Sequence, residues 1–166
     1  MSYSDEAVRV RLQQIPLFAS IKENEDSLVR LQGICKSKSV TRGQTVIKEG
    51  DVGSDMFVVY SGAVEIKKRT RAGDDYTVIV LRAEDNVFFG ELALVDDDKR
   101  SATVVTREDS EFLVIEKQDF LQLGDNFPQI GLPITRALAK ILASRLRKTT
   151  GDMLTIFDAL VQELQA

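Results

Sequence analysis

The sequence has no histidine, no tryptophan and a single cysteine, Cys35, among its 166 residues. The lack of histidine excludes Ser-His and Cys-His catalytic pairs as well as His-ligated zinc or iron sites. One cysteine can form neither an intrachain disulfide nor a thiolate cluster, which suits a reducing compartment. Because Leu31, Ile34 and Val40 lie nearby in sequence, Cys35 is predicted to be a small core residue. We therefore expect a protein that is not an enzyme and that holds no metal or cofactor.

Long apolar runs are also missing. No stretch approaches the ~18–20 residues that a membrane helix requires, and the N-terminus carries Asp5 and Glu6 where a signal peptide would carry positive charge. The 22 Lys and Arg residues against 26 Asp and Glu residues give a net charge of −4, which offers no general attraction for nucleic acid or anionic lipid. A cytoplasmic location without membrane contact is expected.

Three stretches with different periodicity predict one α+β domain over residues 1–166. Residues 1–39 show apolar residues at helical spacing, interrupted by Pro16, and form an N-terminal helical segment. Residues 40–116 contain short β-rich runs separated by glycines, which is typical of an antiparallel β-roll or jelly-roll barrel. Strands are predicted at 45–47, 56–60, 63–67, 76–81, 102–106 and 112–115.

Residues 117–166 return to helical spacing. Apolar residues predict a long helix over 134–150 with a basic opposite face, and a final short helix after Gly151-Asp152. Two such amphipathic helices present more apolar surface than one small barrel needs to cover, so a homodimer formed through the C-terminal helices is expected. The apolar residues of the two helices are Ile134, Leu138, Ile141, Leu142 and Leu146, followed by Met153, Phe157, Leu160, Val161 and Leu164.

The segment that carries chemistry is residues 88–103, called the cassette below. Gly90 follows a buried strand, and a short helical turn after it offers free backbone N–H groups of the kind that hold phosphate. The fork of Arg100 can donate two charge-assisted bonds to phosphate oxygens, and the carboxylate of Glu91 can accept a bond from a sugar hydroxyl. An alternative reading of the same residues is a simple Glu91–Arg100 salt bridge.

The full string Phe-Phe-Gly-Glu-Leu-Ala-Leu, a short loop and Arg-Ser-Ala-Thr resembles the phosphate-binding cassette of the cyclic nucleotide-binding domain family. The similarity is to the catabolite activator and protein kinase A regulatory-subunit types, without a helix-turn-helix domain. The resemblance implies that Arg100 binds the equatorial phosphate and Glu91 the ribose 2′-hydroxyl. It also implies that backbone N–H groups around Gly90, Leu92, Ala93 and Ser101 complete the cradle.

The resemblance also bears on the base. Ser101 is the residue seen in cAMP-responsive activators of this family, although its hydroxyl leaves cGMP open, and a cyclic dinucleotide is not excluded. Thr149 and Thr150 correspond to hydroxyl residues that contact the base in that type; the alternative is two polar residues that end a helix. Asp96, Asp97 and Asp98 are predicted to be a solvated loop tip.

The function implied is a regulatory module that binds a cyclic nucleotide, most readily cAMP, and converts binding into rearrangement of the C-terminal helix. The output would pass through a dimer or an unidentified protein effector. The alternatives are an activator-type transcription regulator and a domain excised from a larger regulated protein. Only 16 residues follow Thr150, room for one helix at most, so direct DNA binding is not expected.

Overall fold

The computed structural model describes residues 3–70 and 72–165. Within these residues, eight strands in two antiparallel sheets form a β-roll, and four α-helices flank it. The sheets have the strand orders β1-β8-β3-β6 and β2-β7-β4-β5. The helices are α1 Asp5–Gln14, α2 Glu25–Gly33, α3 Lys117–Asn126 and α4 Pro128–Gln165. The strands are β1 Cys35–Val40, β2 Thr45–Ile47, β3 Asp55–Ser61, β4 Ala63–Arg69, β5 Asp75–Arg82, β6 Phe88–Phe89, β7 Thr103–Thr106 and β8 Ser110–Glu116.

The N-terminal helices begin at side-chain caps and pack on one sheet. Ser4 Oγ accepts from the Ala7 N–H at 3.2 Å, and Asn24 Oδ1 accepts from the Ser27 N–H at 2.9 Å. Such caps satisfy N–H groups that the first helical turn leaves without partners. The buried faces of α1, α2 and the first turns of α4 share one core with the sheet that contains β3. The N-terminal half of α4 is thereby fixed to the body of the domain.

Strand β3 is buried on both faces and separates two cores. Met56 and Val58 face the helices, whereas Phe57 and Val59 face the barrel interior. The Phe57 ring stacks on Phe89 with centroids 5.1 Å apart, and Phe112 meets both rings edge-on. Phe57 and Phe89 are also paired in register across β3 and β6. These aromatic contacts fix the point at which the chain leaves β6 and enters the cassette.

Strand β1 was missing from the sequence prediction. β1 lies inside the stretch assigned to the N-terminal helical segment, so the barrel begins at Cys35 and not at residue 40. Its four central residues are exposed, only Cys35 and Val40 at its ends are partly buried, and its pairing with β8 defines it. A lysine-bearing edge strand of this kind resists edge-to-edge aggregation but carries no hydrophobic alternation. Residues 1 and 2 of the predicted segment, together with Arg71 and Ala166, lie outside the described residues.

The prediction of a helix break at Gly151-Asp152 was wrong. α4 runs without interruption through 38 residues, and Gly151 lies in its interior. One glycine costs a helix only about 1 kcal/mol relative to alanine, which good helix formers on both sides offset. No helix among the described residues is long and apolar enough to cross a membrane.

Candidate functional site

Within the cassette, the chain leaves β6 through a glycine with a positive φ. Gly90 has φ +76°, and a Cβ at this position would lie 2.9 Å from the carbonyl oxygen of Asp55. Both conformation and space therefore require glycine here. The chain continues as a 3-10 turn, Glu91–Leu94, and then as an exposed loop that leads to Arg100 and β7.

A cavity of about 140 Å³ lies within the cassette. Its volume is below the range of about 300–1,000 Å³ typical of a site that encloses a whole small-molecule ligand. It fits an ionic group and its nearest substituents, and the rest of a larger ligand would extend outside. Five predicted site residues line it, together with Asp96, Asp98 and Lys99; the five are Gly90, Leu92, Ala93, Arg100 and Ser101.

Arg100 is a half-buried cation for which no described residue supplies a carboxylate partner. Its Nη1 donates to the carbonyl oxygens of Asp55 at 2.8 Å and Gly90 at 3.4 Å. Burial lowers the pKa of Arg100 from its ordinary value, and the nearby charge of Asp55 opposes that shift; an arginine remains protonated at neutral pH. Within the described part of the chain, no carboxylate oxygen lies within 4.0 Å of its guanidinium nitrogens. The site therefore presents a fixed positive charge to the cavity.

Glu91 is paired, but its partner is Arg145 and not Arg100. Glu91 is 4% exposed, and its Oε1 accepts from Nη1 of Arg145, which projects from α4. The Glu91–Arg100 salt bridge considered from the sequence is therefore contradicted. The ion pair joins the 3-10 turn of the cassette directly to the long helix.

The loop of the cassette is tied to the start of α3. Lys117 Nζ donates to the Asp96 carbonyl oxygen and to Asp97 Oδ1, both at 2.7 Å. The carboxylates of Asp96, Asp97 and Asp98 are exposed, in agreement with the solvated loop predicted for them. Lys117 thus holds the outer wall of the cavity in place.

Thr149 and Thr150 lie about one helical turn beyond Arg145 on α4, and both are exposed. Thr150 Oγ1 donates to the carbonyl oxygen of Leu146 in its own helix at 2.9 Å. Neither threonine is among the described residues that line the cassette cavity. Their predicted contact with a base stays a prediction.

The sequence did not single out Arg145 as a site residue. The sequence prediction places it on one basic, solvated face with Arg136, Lys140, Arg147 and Lys148. In the continuous helix α4, however, Arg145 lies about 180° around the axis from Arg136 and about 20° from Ile134, on the apolar face. The signal that could have found it was therefore a cation at the spacing of the apolar stripe, which turns it toward the body of the domain and the buried Glu91.

A larger cavity of about 530 Å³ lies between α1 and Tyr60. Its cation, Arg11, donates from Nε to the Val59 carbonyl oxygen at 3.2 Å and from Nη1 to Asn86 Oδ1 at 2.7 Å. These bonds anchor α1 to the barrel. Charge and hydrogen-bonding capacity, and not volume, therefore identify the cassette as the candidate site.

Comparison with known proteins agrees with this geometry. The family profile of the cyclic nucleotide-binding domain matches residues 37–127, just over half of the chain. The cyclic AMP receptor protein of Thermus thermophilus is 30% identical over 133 residues, which cover 80% of this chain and 58% of that protein. The cGMP-dependent protein kinase 2 of Homo sapiens is 30% identical over 127 residues, which cover 76% of this chain and 16% of the kinase.

Solved structures show the same fold. The Thermus thermophilus catabolite activator protein superposes with a TM-score of 0.74 at 28% identity, covering 83% of this chain and 61% of that one. The regulatory domain of Toxoplasma gondii PKA, solved with cAMP, gives a TM-score of 0.66 at 26% identity over 74% of this chain and 46% of that one. The chain belongs to the cyclic nucleotide-binding domain family and is a regulatory domain of that type. It spans less than two thirds of the length of these relatives.

Proposed function

We propose that the cassette binds cAMP, with Arg100 as the main phosphate ligand. The observation that carries this proposal is a half-buried guanidinium that faces a cavity and has no carboxylate partner among the described residues. Such a charge is stabilised when an anion enters, and the planar fork of arginine suits two phosphate oxygens at once. Membership of the family supports a cyclic nucleotide as that anion.

We propose adenine as the base. One relative is named for cyclic AMP and another for cGMP, so the names of the relatives support either nucleotide. We favour cAMP because of Ser101, which lines the cavity next to Arg100. Since the cavity is too small for a whole nucleotide, the base would lie outside it, on the side toward α4.

Glu91 is proposed to accept the ribose 2′-hydroxyl. A carboxylate has about four lone-pair sites, and Arg145 occupies Oε1. The hydroxyl can therefore bind beside Arg145 or replace it. Both outcomes change the strength of the contact between the cassette and α4, which makes this contact the route from ligand to helix.

The proposed response is a shift between positions of α4. A ligand shifts such an equilibrium only by the difference in its affinity for the two positions. The ion pair Glu91–Arg145 supplies that difference, because it exists in one position and competes or cooperates with the ribose there. The chain would act by binding and by moving this helix, without catalysing a reaction.

The exposed half of α4 is proposed to join two copies of the chain. From Ala143 onward, residues recur at the alternating spacings of three and four typical of a coiled coil: Ala143, Leu146, Thr150, Met153, Phe157, Leu160 and Leu164. The large apolar members of this seam are more than half exposed. A parallel or antiparallel partner helix from a second copy would cover them.

Calorimetric titration with cAMP and cGMP tests the site and the base together. A hydrogen bond to a charged group is worth about 1.5–3 kcal/mol, so Arg100→Ala should weaken binding at least about tenfold. Arg82→Ala, which removes an equally charged but exposed side chain at the end of β5, is the matched control and should bind like the wild type. Wild-type affinity in Arg100→Ala would contradict the proposal.

A further inference from the structure

The guanidinium of Arg100 lies between two glycines, Gly53 and Gly90. A Cβ built on Gly53 would be 2.6 Å from Nε and 2.9 Å from Nη2 of Arg100. A Cβ built on Gly90 would be 3.0 Å from Nη1. A Cβ atom does not approach another heavy atom more closely than 3.0 Å, so the guanidinium occupies the space that a side chain at position 53 would need.

The two glycines differ in why they are needed. Gly90 has a positive φ and lies close to a carbonyl oxygen, so its backbone alone demands glycine. Gly53 is not among the glycines with positive φ, and its conformation is open to other residues. The three atoms nearest to a Cβ at position 53 all belong to the Arg100 guanidinium, so glycine there leaves space for that side chain.

The loop that contains Gly53 also holds the backbone of Arg100. The Gly50 N–H donates to the Arg100 carbonyl oxygen at 2.9 Å, and the Arg100 N–H donates to the Asp51 carbonyl oxygen at 2.9 Å. Arg100 Nη1 donates to the carbonyl oxygen of Asp55, which follows the same loop. Residues 50–55 therefore contact the arginine along its full length.

We propose that Gly53 is a positioning residue for Arg100. By lacking a side chain, it lets the guanidinium rest against loop 50–55, with Nη1 donating to the Asp55 carbonyl oxygen. Nε and Nη2 have no hydrogen-bond acceptor among the described residues and stay available to an anion. A guanidinium held in this way loses little conformational freedom on binding, which strengthens a bidentate contact. As far as the anion is a cyclic phosphate, this inference rests on the proposed function.

A side chain at position 53 should move the guanidinium without unfolding the domain, because the displaced atoms are the end of a flexible side chain. We expect Gly53→Ala to weaken cAMP binding at least about threefold and the bulkier Gly53→Val about tenfold or more. Gly33→Ala is the matched control, since nothing lies within 4 Å of a Cβ there and φ is not positive. Wild-type affinity in Gly53→Val would overturn the proposal.

Two measurements without ligand separate this inference from the proposed function. The Nε–H resonance of Arg100, assigned by its loss in Arg100→Ala, should shift in Gly53→Ala and stay in place in Gly33→Ala. Gly53→Ala should also reduce the free energy of unfolding less in an Arg100→Ala background, where the space is released, than in the wild type. An unmoved resonance, or an equal loss in both backgrounds, would make Gly53 a purely structural glycine and overturn the proposal. A further outcome is that neither the wild type nor the variants bind cAMP, while the Arg100 resonance still shifts and the loss of unfolding free energy still differs between the two backgrounds. In that case the positioning role stands and the choice of ligand fails.

Discussion

Arg145 donates from Nη1 to Oε1 of Glu91, a residue 54 positions earlier in the chain. The carboxylate is buried in the cassette, whereas the arginine is half exposed on a helix whose remaining C-terminal part is exposed. One end of this ion pair therefore belongs to the candidate ligand site and the other to the candidate output helix. Under the proposed function, a ligand that contacts Glu91 would reach α4 through this one side chain.

Arg145→Ala should uncouple the helix from the site. Without Arg145, the proposed contact of Glu91 with ribose can still form, so we expect cAMP affinity to stay within about fivefold, much less affected than in Arg100→Ala. The change in hydrogen–deuterium exchange that cAMP produces in residues 146–165 should fall to less than about half of the wild-type change. Mass spectrometry of peptides from this region, with and without cAMP, measures it.

Arg147→Ala is the control for this experiment, because Arg147 has the same charge, lies on the same helix and is exposed. It should retain the wild-type exchange response. If Arg145→Ala also retains the full response, the ion pair is not the route from the cassette to α4.

The cassette was predictable because its residues are close in sequence. Gly90, Glu91 and Arg100 lie within eleven positions, and the strand, turn and loop between them leave few ways to arrange their side chains. Five of the six predicted cassette residues line one cavity, and the sixth, Glu91, is not among its lining residues. Closeness in sequence was therefore sufficient to bring these five together, whereas their role in binding a ligand stays a prediction.

The contacts made by distant parts of the chain were not predictable in the same way. Arg145 is one of five similar cations, and β1 is a polar strand defined by its partner. Whether α4 continues through Gly151 depends on whether the neighbouring residues offset the helix-propensity cost of that glycine. Periodicity alone does not decide this. In each case tertiary geometry supplied the information.

The crossing of α3 and α4 depends on one of two glycines. A Cβ on Gly131 would overlap the backbone of Gly124, whereas a Cβ on Gly124 would lie 3.5 Å from Gly131 Cα, an ordinary contact. Gly131→Ala should therefore lower the free energy of unfolding by about 1–3 kcal/mol, despite the better helix propensity of alanine. Chemical denaturation monitored by circular dichroism measures it.

Gly124→Ala is the control at the same crossing and should be neutral or slightly stabilising. Gly151→Ala, with nothing within 4 Å and helix on both sides, should increase the helical content of α4. A Gly131→Ala protein as stable as the Gly124→Ala protein would show that the helices separate at little cost.

The exposed seam of α4 predicts self-association. Phe157→Glu places a charge at the centre of this seam, so we expect it to weaken a dimer by at least about tenfold. Sedimentation equilibrium over a range of protein concentrations measures the association. Thr155→Glu adds the same charge outside the seam and should leave association unchanged. A wild-type protein that stays monomeric at all concentrations, or a Phe157→Glu protein that associates like the wild type, would contradict the proposed dimer.

Cys35 is predicted to be chemically inert in the folded protein. Its Sγ donates to the Leu31 carbonyl oxygen at 3.3 Å, and burial raises the pKa of the thiol from 9.0 to about 12. At pH 8, the thiolate fraction falls about tenfold for each unit by which the pKa rises. Alkylation by iodoacetamide should therefore be at least about a hundredfold slower than in denaturant. Because the folded thiol holds its proton more tightly, its contribution to stability is complete below pH 9 and is lost as the pH rises toward 12.

Ser39→Cys in a Cys35→Ala background places a thiol at an exposed position of the same strand and should react at the rate of a free thiol. Equal alkylation rates for Cys35 and this control would show that the thiol is accessible and ionised in the native state.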